Sequence, residues 1–162
     1  MILQEGTRSE LSATFPNPFP NIYDIDDDMK QMIITRNWRN VNPTIAHKSG
    51  IDWRLLSTSH KTSGDIDAEV DPKYQCLKAI TYVSLAKLQP SLSYESHTHD
   101  DHEEIYYIIN GTGRIKMGNE ESRFKDGDLI YIPPKTAHSI MNDGEGMVDF
   151  LAFGGFTGKY SG

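Results

Sequence analysis

Cysteine is nearly absent from this 162-residue chain: Cys76 stands alone, so no disulfide can form within it. Long apolar runs are also missing. No stretch approaches the roughly 20 residues needed to span a bilayer, and Met1 to Pro20 lacks the basic-then-apolar form of a signal peptide. These absences predict a cytoplasmic protein with no membrane partner. Basic residues are in deficit, 16 Lys+Arg against 23 Asp+Glu for a net charge of -7, and they form no run or stripe that could neutralise a phosphate backbone. Nucleic acid is therefore excluded as an expected partner. There is no internal repeat, no low-complexity tract and no shift of composition that demands a second folding unit. One domain of this length buries about two-thirds of its unfolded surface unaided, which leaves any metal free to be functional.

What is present is strand after strand. From about Ile51 the chain reads IDWRLLS, CLKAITYVSLA, EIYYIIN, GRIKM, SRF, DLIYI, AHSIM and MVDFLAF, separated by Gly, Asn, Asp and Pro. Short strands at this spacing predict a β-sandwich or barrel. Asn110-Gly111-Thr112, although it matches a glycosylation sequon, reads as a tight hairpin turn between two β-forming runs, and the turn in KMGNEESR reads as a second hairpin. In EIYYIIN, Glu104, Tyr106 and Ile108 share one face and Ile105, Tyr107 and Ile109 the other, the pattern of a strand covered on both sides. The Ser-, Thr-, Gly- and Asp-rich stretch 57–72 is expected to be a long surface loop. Ahead of the strands, Pro16, Pro18 and Pro20 suggest an extended arm. Ile25, Met29, Met32 and Ile33 then fall on one helical face behind Asp26, Asp27 and Asp28, which predicts a short amphipathic helix ending near Asn37.

Chemistry concentrates in two segments, SHTHDDHEEIYYIING and GDLIYIPPKTAHSIMN. A strand alternates its side chains, so His97 and His99 can aim both imidazoles at one point. Glu104 can return a carboxylate to that point and His138 can arrive from a distant strand. Three neutral nitrogens and one anionic oxygen suit a borderline transition metal rather than calcium or magnesium. A carboxylate at the start of a strand covered on both faces is costly to bury without a partner, and a metal is a sufficient one. Tyr106 has the parity of Glu104 and should point inward beside it. Glu95 reads as an exposed carboxylate, His102 as a surface residue between acids, and His47 and His60 receive no role.

The spacing of these residues resembles the cupin superfamily, whose two motifs are G-x5-H-x-H-x(3,4)-E-x6-G and G-x5-P-x4-H-x3-N. His97, His99, Glu104 and Gly111 match the first motif, at about 91–111, and Gly127, Pro133, His138 and Asn142 match the second, at about 127–142. The one departure is Ser91, which stands where the first glycine is expected and should alter only a turn. The resemblance implies an all-β double-stranded β-helix, the jelly-roll cupin barrel, over residues 61–162. An N-terminal arm and one short helix over residues 1–60 would pack on it. Asn142 reads as a turn or strand-end residue rather than a ligand.

The resemblance also implies one divalent metal per chain on His97, His99, Glu104 and His138, with Fe(II) favoured and Mn(II), Ni(II) or Zn(II) as alternatives. It implies a small-molecule substrate and a homodimer. Dioxygenase-type oxidation is the leading expectation. The alternatives are a lyase or isomerase with Tyr106 as acid or base, decarboxylation with manganese, and a non-catalytic cupin that binds a sugar or another small molecule.

Overall fold

The computed structural model describes residues 33–59, 62–64 and 66–158. Nine strands carry the fold within them: β1 (Thr44–Ala46), β2 (Gly50–Ser57), β3 (Ile80–Leu88), β4 (His102–Asn110), β5 (Gly113–Met117), β6 (Glu120–Phe124), β7 (Leu129–Ile132), β8 (His138–Met141) and β9 (Val148–Phe156). Among the described residues the helical pieces are two 3-10 turns, Trp38–Asn40 and Pro72–Tyr74. The strands form two antiparallel sheets, one in the order β1-β2-β3-β9-β4-β7 and one in the order β6-β5-β8. This is the all-β barrel that the sequence predicts.

Alternation decides which side chains fill it. Along β9, Val148, Phe150 and Ala152 are buried while their neighbours are partly exposed, and β4 buries His102, Glu104, Tyr106 and Ile108 in the same way. These meet Ile115, Phe124 and Ile140 of the smaller sheet in one core, with Tyr82, Leu88 and Ile132. Each fully buried large apolar side chain contributes about 1.5–3 kcal/mol. Apolar packing thus fills one part of the interior, and the polar inward residues of β2 and β4 gather in another.

Several expectations need correction. Asn110-Gly111-Thr112 is not a hairpin: β4 pairs with β7 and β9, whereas β5 pairs with β6 and β8, so this turn is a corner between sheets. Gly118-Asn119 does close a hairpin, with Met117 opposite Glu120. The segment holding His97 and His99 is not a regular strand. It is extended chain tied to β8 through isolated bridges at Ser93 and His97. The outer face of β4 is not covered by any of the described residues, for Tyr107 and Ile109 are 42% and 45% exposed.

The predicted helix lies mostly outside the described residues, and its last part, 33–37, has no helical structure. The arm at 1–23 lies outside them entirely. β1 and β2, which fall in the first 60 residues, are strands of the larger sheet. The stretch 57–72 is more than a surface loop, since Thr58, Thr62 and Val70 are buried and Thr58 bridges Leu77.

Candidate metal centre

Backbone hydrogen bonds place the four candidate ligands before any side chain is considered. His97 and His138 face each other directly: His97 N donates to His138 O at 3.1 Å and His138 N to His97 O at 3.0 Å. Residues paired in this way hold their side chains next to each other on one face. Lys135 N donates to His99 O at 2.7 Å, which ties the turn after Pro133-Pro134 to the first histidine segment and delivers His138. Glu104 sits on β4 opposite Ile132 of β7 and Gly154 of β9. The result is one cluster, in which a ligand atom from each of His97, His99, Glu104 and His138 lies within 4.8 Å of the others. His99, Glu104 and His138 are 3%, 2% and 1% exposed.

The ring nitrogens then define what the cluster can hold. In each histidine Nδ1 faces a backbone carbonyl: Glu95 O at 2.8 Å from His97, Ser63 O at 2.9 Å from His99 and Thr136 O at 2.9 Å from His138. A carbonyl can only accept, so each Nδ1 carries the proton and donates it. Each Nε2 is left with a lone pair, and all three Nε2 atoms are buried without a hydrogen-bond partner. Two of them face Glu104 Oε2, from 3.2 Å for His99 and 2.9 Å for His138. These are ion-pair distances only for protonated rings, and the proton is already committed on the other side of each ring. Lone pairs converging on a carboxylate oxygen repel unless a cation lies among them, and the donor set therefore fits a divalent metal.

Burial, reinforced by the nearby His138, pulls the His97 imidazole down to about 4. Burial also pulls His99 down to about 3, with His102, His97 and His138 adding to the effect. Both rings are thus neutral at physiological pH, as metal ligands must be.

Glu104 is held from behind by two tyrosines. Tyr82 of β3 donates its hydroxyl to Oε1, and Tyr106 donates to Oε2 at 3.2 Å. Tyr82 can reach across β9 because the residue between it and Glu104 is Gly154. A Cβ there would collide with the Thr81 hydroxyl and lie 2.8 Å from the His102 ring. Among the described residues no lysine or arginine pairs with the Glu104 carboxylate. The Arg54 guanidinium lies 4.1 Å over the Tyr82 ring instead, itself bonded to Ser84 at 2.8 Å.

The remaining candidates separate clearly. Tyr106 points inward as expected, 2% exposed, and burial raises its hydroxyl well above the usual range, as does the Glu104 carboxylate. Glu95 is outward and pairs with Lys48 at 2.5 Å. Asn142 is no ligand: it is fully buried, donating to Leu88 O at 2.9 Å and Gly146 O at 2.8 Å and accepting from Gly144 N at 3.0 Å. Ser91 adopts φ +67°, so the turn retains the glycine-like backbone although the residue differs.

The reading of His102 as a surface residue is wrong, because it is 1% exposed, bonded to Asp101 at 2.7 Å and 4.2 Å ring-to-ring from His99. Sequence reasoning also missed Tyr82 and His47. The only signal for Tyr82 was its inward parity in ITYVS, and His47, stacked on His97 at 3.5 Å, gave none. His60 lies outside the described residues.

Comparison with known proteins bears on the fold. Residues 84–154 match the family model of the cupin domain. A stretch of 48 residues, 30% of the chain, is 54% identical to an uncharacterised protein of Methanocaldococcus jannaschii and covers 38% of it. Another of 66 residues, 41% of the chain, is 36% identical to an oxalate-binding protein of Thermotoga maritima and covers 54% of it. The chain therefore spans about half or less of the length of these curated relatives. A solved structure from Thermotoga maritima, described as a predicted oxalate decarboxylase, superposes with a TM-score of 0.58 over 76% of this chain and 99% of that one, at 23% identity. That is a likeness of fold. Both histidine motifs lie inside the matched stretch and the barrel is shared with the solved structure, so residues 84–154 form a cupin domain.

Proposed function

We propose that the chain is a metal-dependent enzyme that holds one divalent ion on His97, His99, Glu104 and His138, favouring Fe(II), and oxidises a small carboxylate anion with dioxygen. The observation that carries this reading is the gathering of His97, His99 and His138 with Glu104 within 4.8 Å of one another, with two proton-free Nε2 atoms, those of His99 and His138, facing one carboxylate oxygen. When bound, the ion supplies a residual charge near +1, redox capacity if it is iron, and up to about two of six positions not taken by protein.

The chain's own groups orient and exclude. Backbone carbonyls fix three rings, and Tyr82 and Tyr106 fix both oxygens of Glu104. Arg54, stacked on Tyr82, also lines a cavity of about 440 Å³ with Ser57, Thr58, Thr62 and Gln75, whose wall includes none of the four candidate ligands. The names of the two Thermotoga maritima relatives, an oxalate-binding protein and a predicted oxalate decarboxylase, favour a short dicarboxylate as the first candidate.

Tyr106 serves in this reading as an orienting residue, because its hydroxyl proton is directed at Glu104 Oε2. A lyase or isomerase would need that proton to exchange with substrate. A second reading, carboxylate binding without turnover, draws on the name of the oxalate-binding relative. An oxygen electrode and product analysis on the Fe(II)-loaded protein, run with a panel of mono- and dicarboxylates, decide among them. Oxygen uptake in step with substrate loss is the expected result. Conversion without oxygen, abolished in Tyr106→Phe with metal retained, would replace oxidation by the lyase or isomerase. A carboxylate bound and recovered unchanged would leave only the binding reading.

We propose further that the chain forms a homodimer. Tyr107 and Ile109 of β4 and Leu129 and Tyr131 of β7 are 42%, 45%, 61% and 49% exposed side by side on the outer face of the larger sheet. Light scattering should give twice the 18.3 kDa of the chain, and a mass of 18.3 kDa would refute the pairing.

A further inference from the structure

Outside the matched domain, the three-residue turn between β1 and β2 is bound tightly to the segment that carries His97. His47 and Lys48 both adopt left-handed backbone, φ +45° and +74°, although neither is glycine. Such conformations persist only where the surroundings hold them, and they gather at functional sites. The holding contacts are specific. Glu95 N donates to His47 O at 3.4 Å, Lys48 pairs with Glu95 at 2.5 Å, and the Ser49 hydroxyl donates to Ser93 O at 2.5 Å. Gly50 completes the fit, since a Cβ on it would overlap the Tyr94 ring, which is 3% exposed.

The turn therefore lays the His47 ring flat on His97, with centroids 3.5 Å apart and planes 14° apart. The same His47 ring touches Tyr94 at 5.0 Å. His97 is the least enclosed of the four: its ring nitrogen bonds a carbonyl two residues away, as that of His138 does, but it is the one of the four that is not fully buried. His99 and His138 are enclosed by the core, and Glu104 is gripped by two hydroxyls.

We propose that His47 is a positioning residue, a lid contributed by the β1–β2 turn that fixes the His97 ring and retards loss of the metal. The proposal rests on the metal reading above for its consequence, but not for its geometry. The lid acts through His97, and it reaches the centre from a part of the chain that the cupin motifs do not include.

Two measurements test it, using His47→Ala and His47→Phe, the latter keeping a ring at the position. In the metal-free protein, diethylpyrocarbonate labelling of His97 is followed by mass spectrometry. Labelling should rise about fivefold in His47→Ala, the scale of one lost aromatic contact, and return toward the parent rate in His47→Phe. In the Co(II)-loaded protein, release to a chelator followed by visible absorption should quicken by a similar factor in His47→Ala only. Unchanged His97 labelling in His47→Ala, unchanged Co(II) release, or failure of His47→Phe to restore either would overturn the proposal. If the parent protein takes up no Co(II) while the labelling pattern holds, the metal reading fails and the assignment of His47 as the lid on His97 stands.

Discussion

Tyr82→Phe removes one oxygen atom that lies outside the ligand set, and its effect on the metal can be worked out from the contacts of Glu104. Among the described residues Oε1 has one hydrogen-bond donor, the Tyr82 hydroxyl, in a site where Glu104 is 2% exposed and water cannot easily substitute. Oε2 faces His99 and His138 and accepts a bond from Tyr106 at 3.2 Å. A hydrogen bond to a buried charged acceptor contributes about 1.5–3 kcal/mol, and loss of a residue that orients a metal ligand costs about 10–100-fold in affinity. Tyr82→Phe should therefore weaken metal binding by about 10–100-fold, whereas Tyr106→Phe, which removes a 3.2 Å bond to the oxygen that also faces His99 and His138, should cost about fivefold. The assay is competition with a chelator of known affinity, with far-ultraviolet circular dichroism to show that both variants keep their strands. Equal affinity in Tyr82→Phe and the parent would refute the claim that Glu104 is oriented from β3. Because the two hydroxyls share one acceptor group, the double variant should depart from additivity.

Three further outcomes follow from individual contacts. Burial holds His97 at about 4 and His99 at about 3, below the 6.5 of an exposed histidine, so as pH falls below about 6.5 the unfolded chain takes up protons that the folded metal-free chain refuses. Stability should then decline by up to about 1.4 kcal/mol per pH unit for each histidine; urea midpoints that stay constant between pH 7 and pH 5 would show the rings are not held neutral. Ser91→Gly relieves a left-handed serine at φ +67° and should raise the melting temperature by about 3 °C, and a fall would mean the serine side chain is needed there. Asn142→Ala leaves Leu88 O, Gly146 O and Gly144 N without their side-chain partner in a fully buried position, which should cost about 2–4 kcal/mol in denaturant titration, and a loss under 1 kcal/mol would contradict that role.

The four-residue cluster was legible because it is spread over two segments of fixed spacing, three residues in the first and one in the second. His97 and His99 aim together even though their segment is extended chain rather than a strand. Its supports were not legible. Tyr82 meets Glu104 only because β9 lies between β3 and β4 with Gly154 in the row, a long-range arrangement that no local pattern encodes. His102 stands among acids in sequence, yet β4 begins at that residue and turns it inward. The Asn110-Gly111 turn misled for the same reason. Turn chemistry shows that the chain bends there, while the partners of β4 and β5 decide whether the bend is a hairpin or a corner.

His97, His99, Glu104 and His138 are proposed to bind one divalent metal ion together. Elemental analysis of untagged protein, followed by calorimetric titration of the metal-free form, tests it most directly. One ion per chain is expected in the parent protein, and its loss in both Glu104→Gln and His138→Ala. An ion bound undiminished in those variants, or no binding by the folded parent, would contradict it.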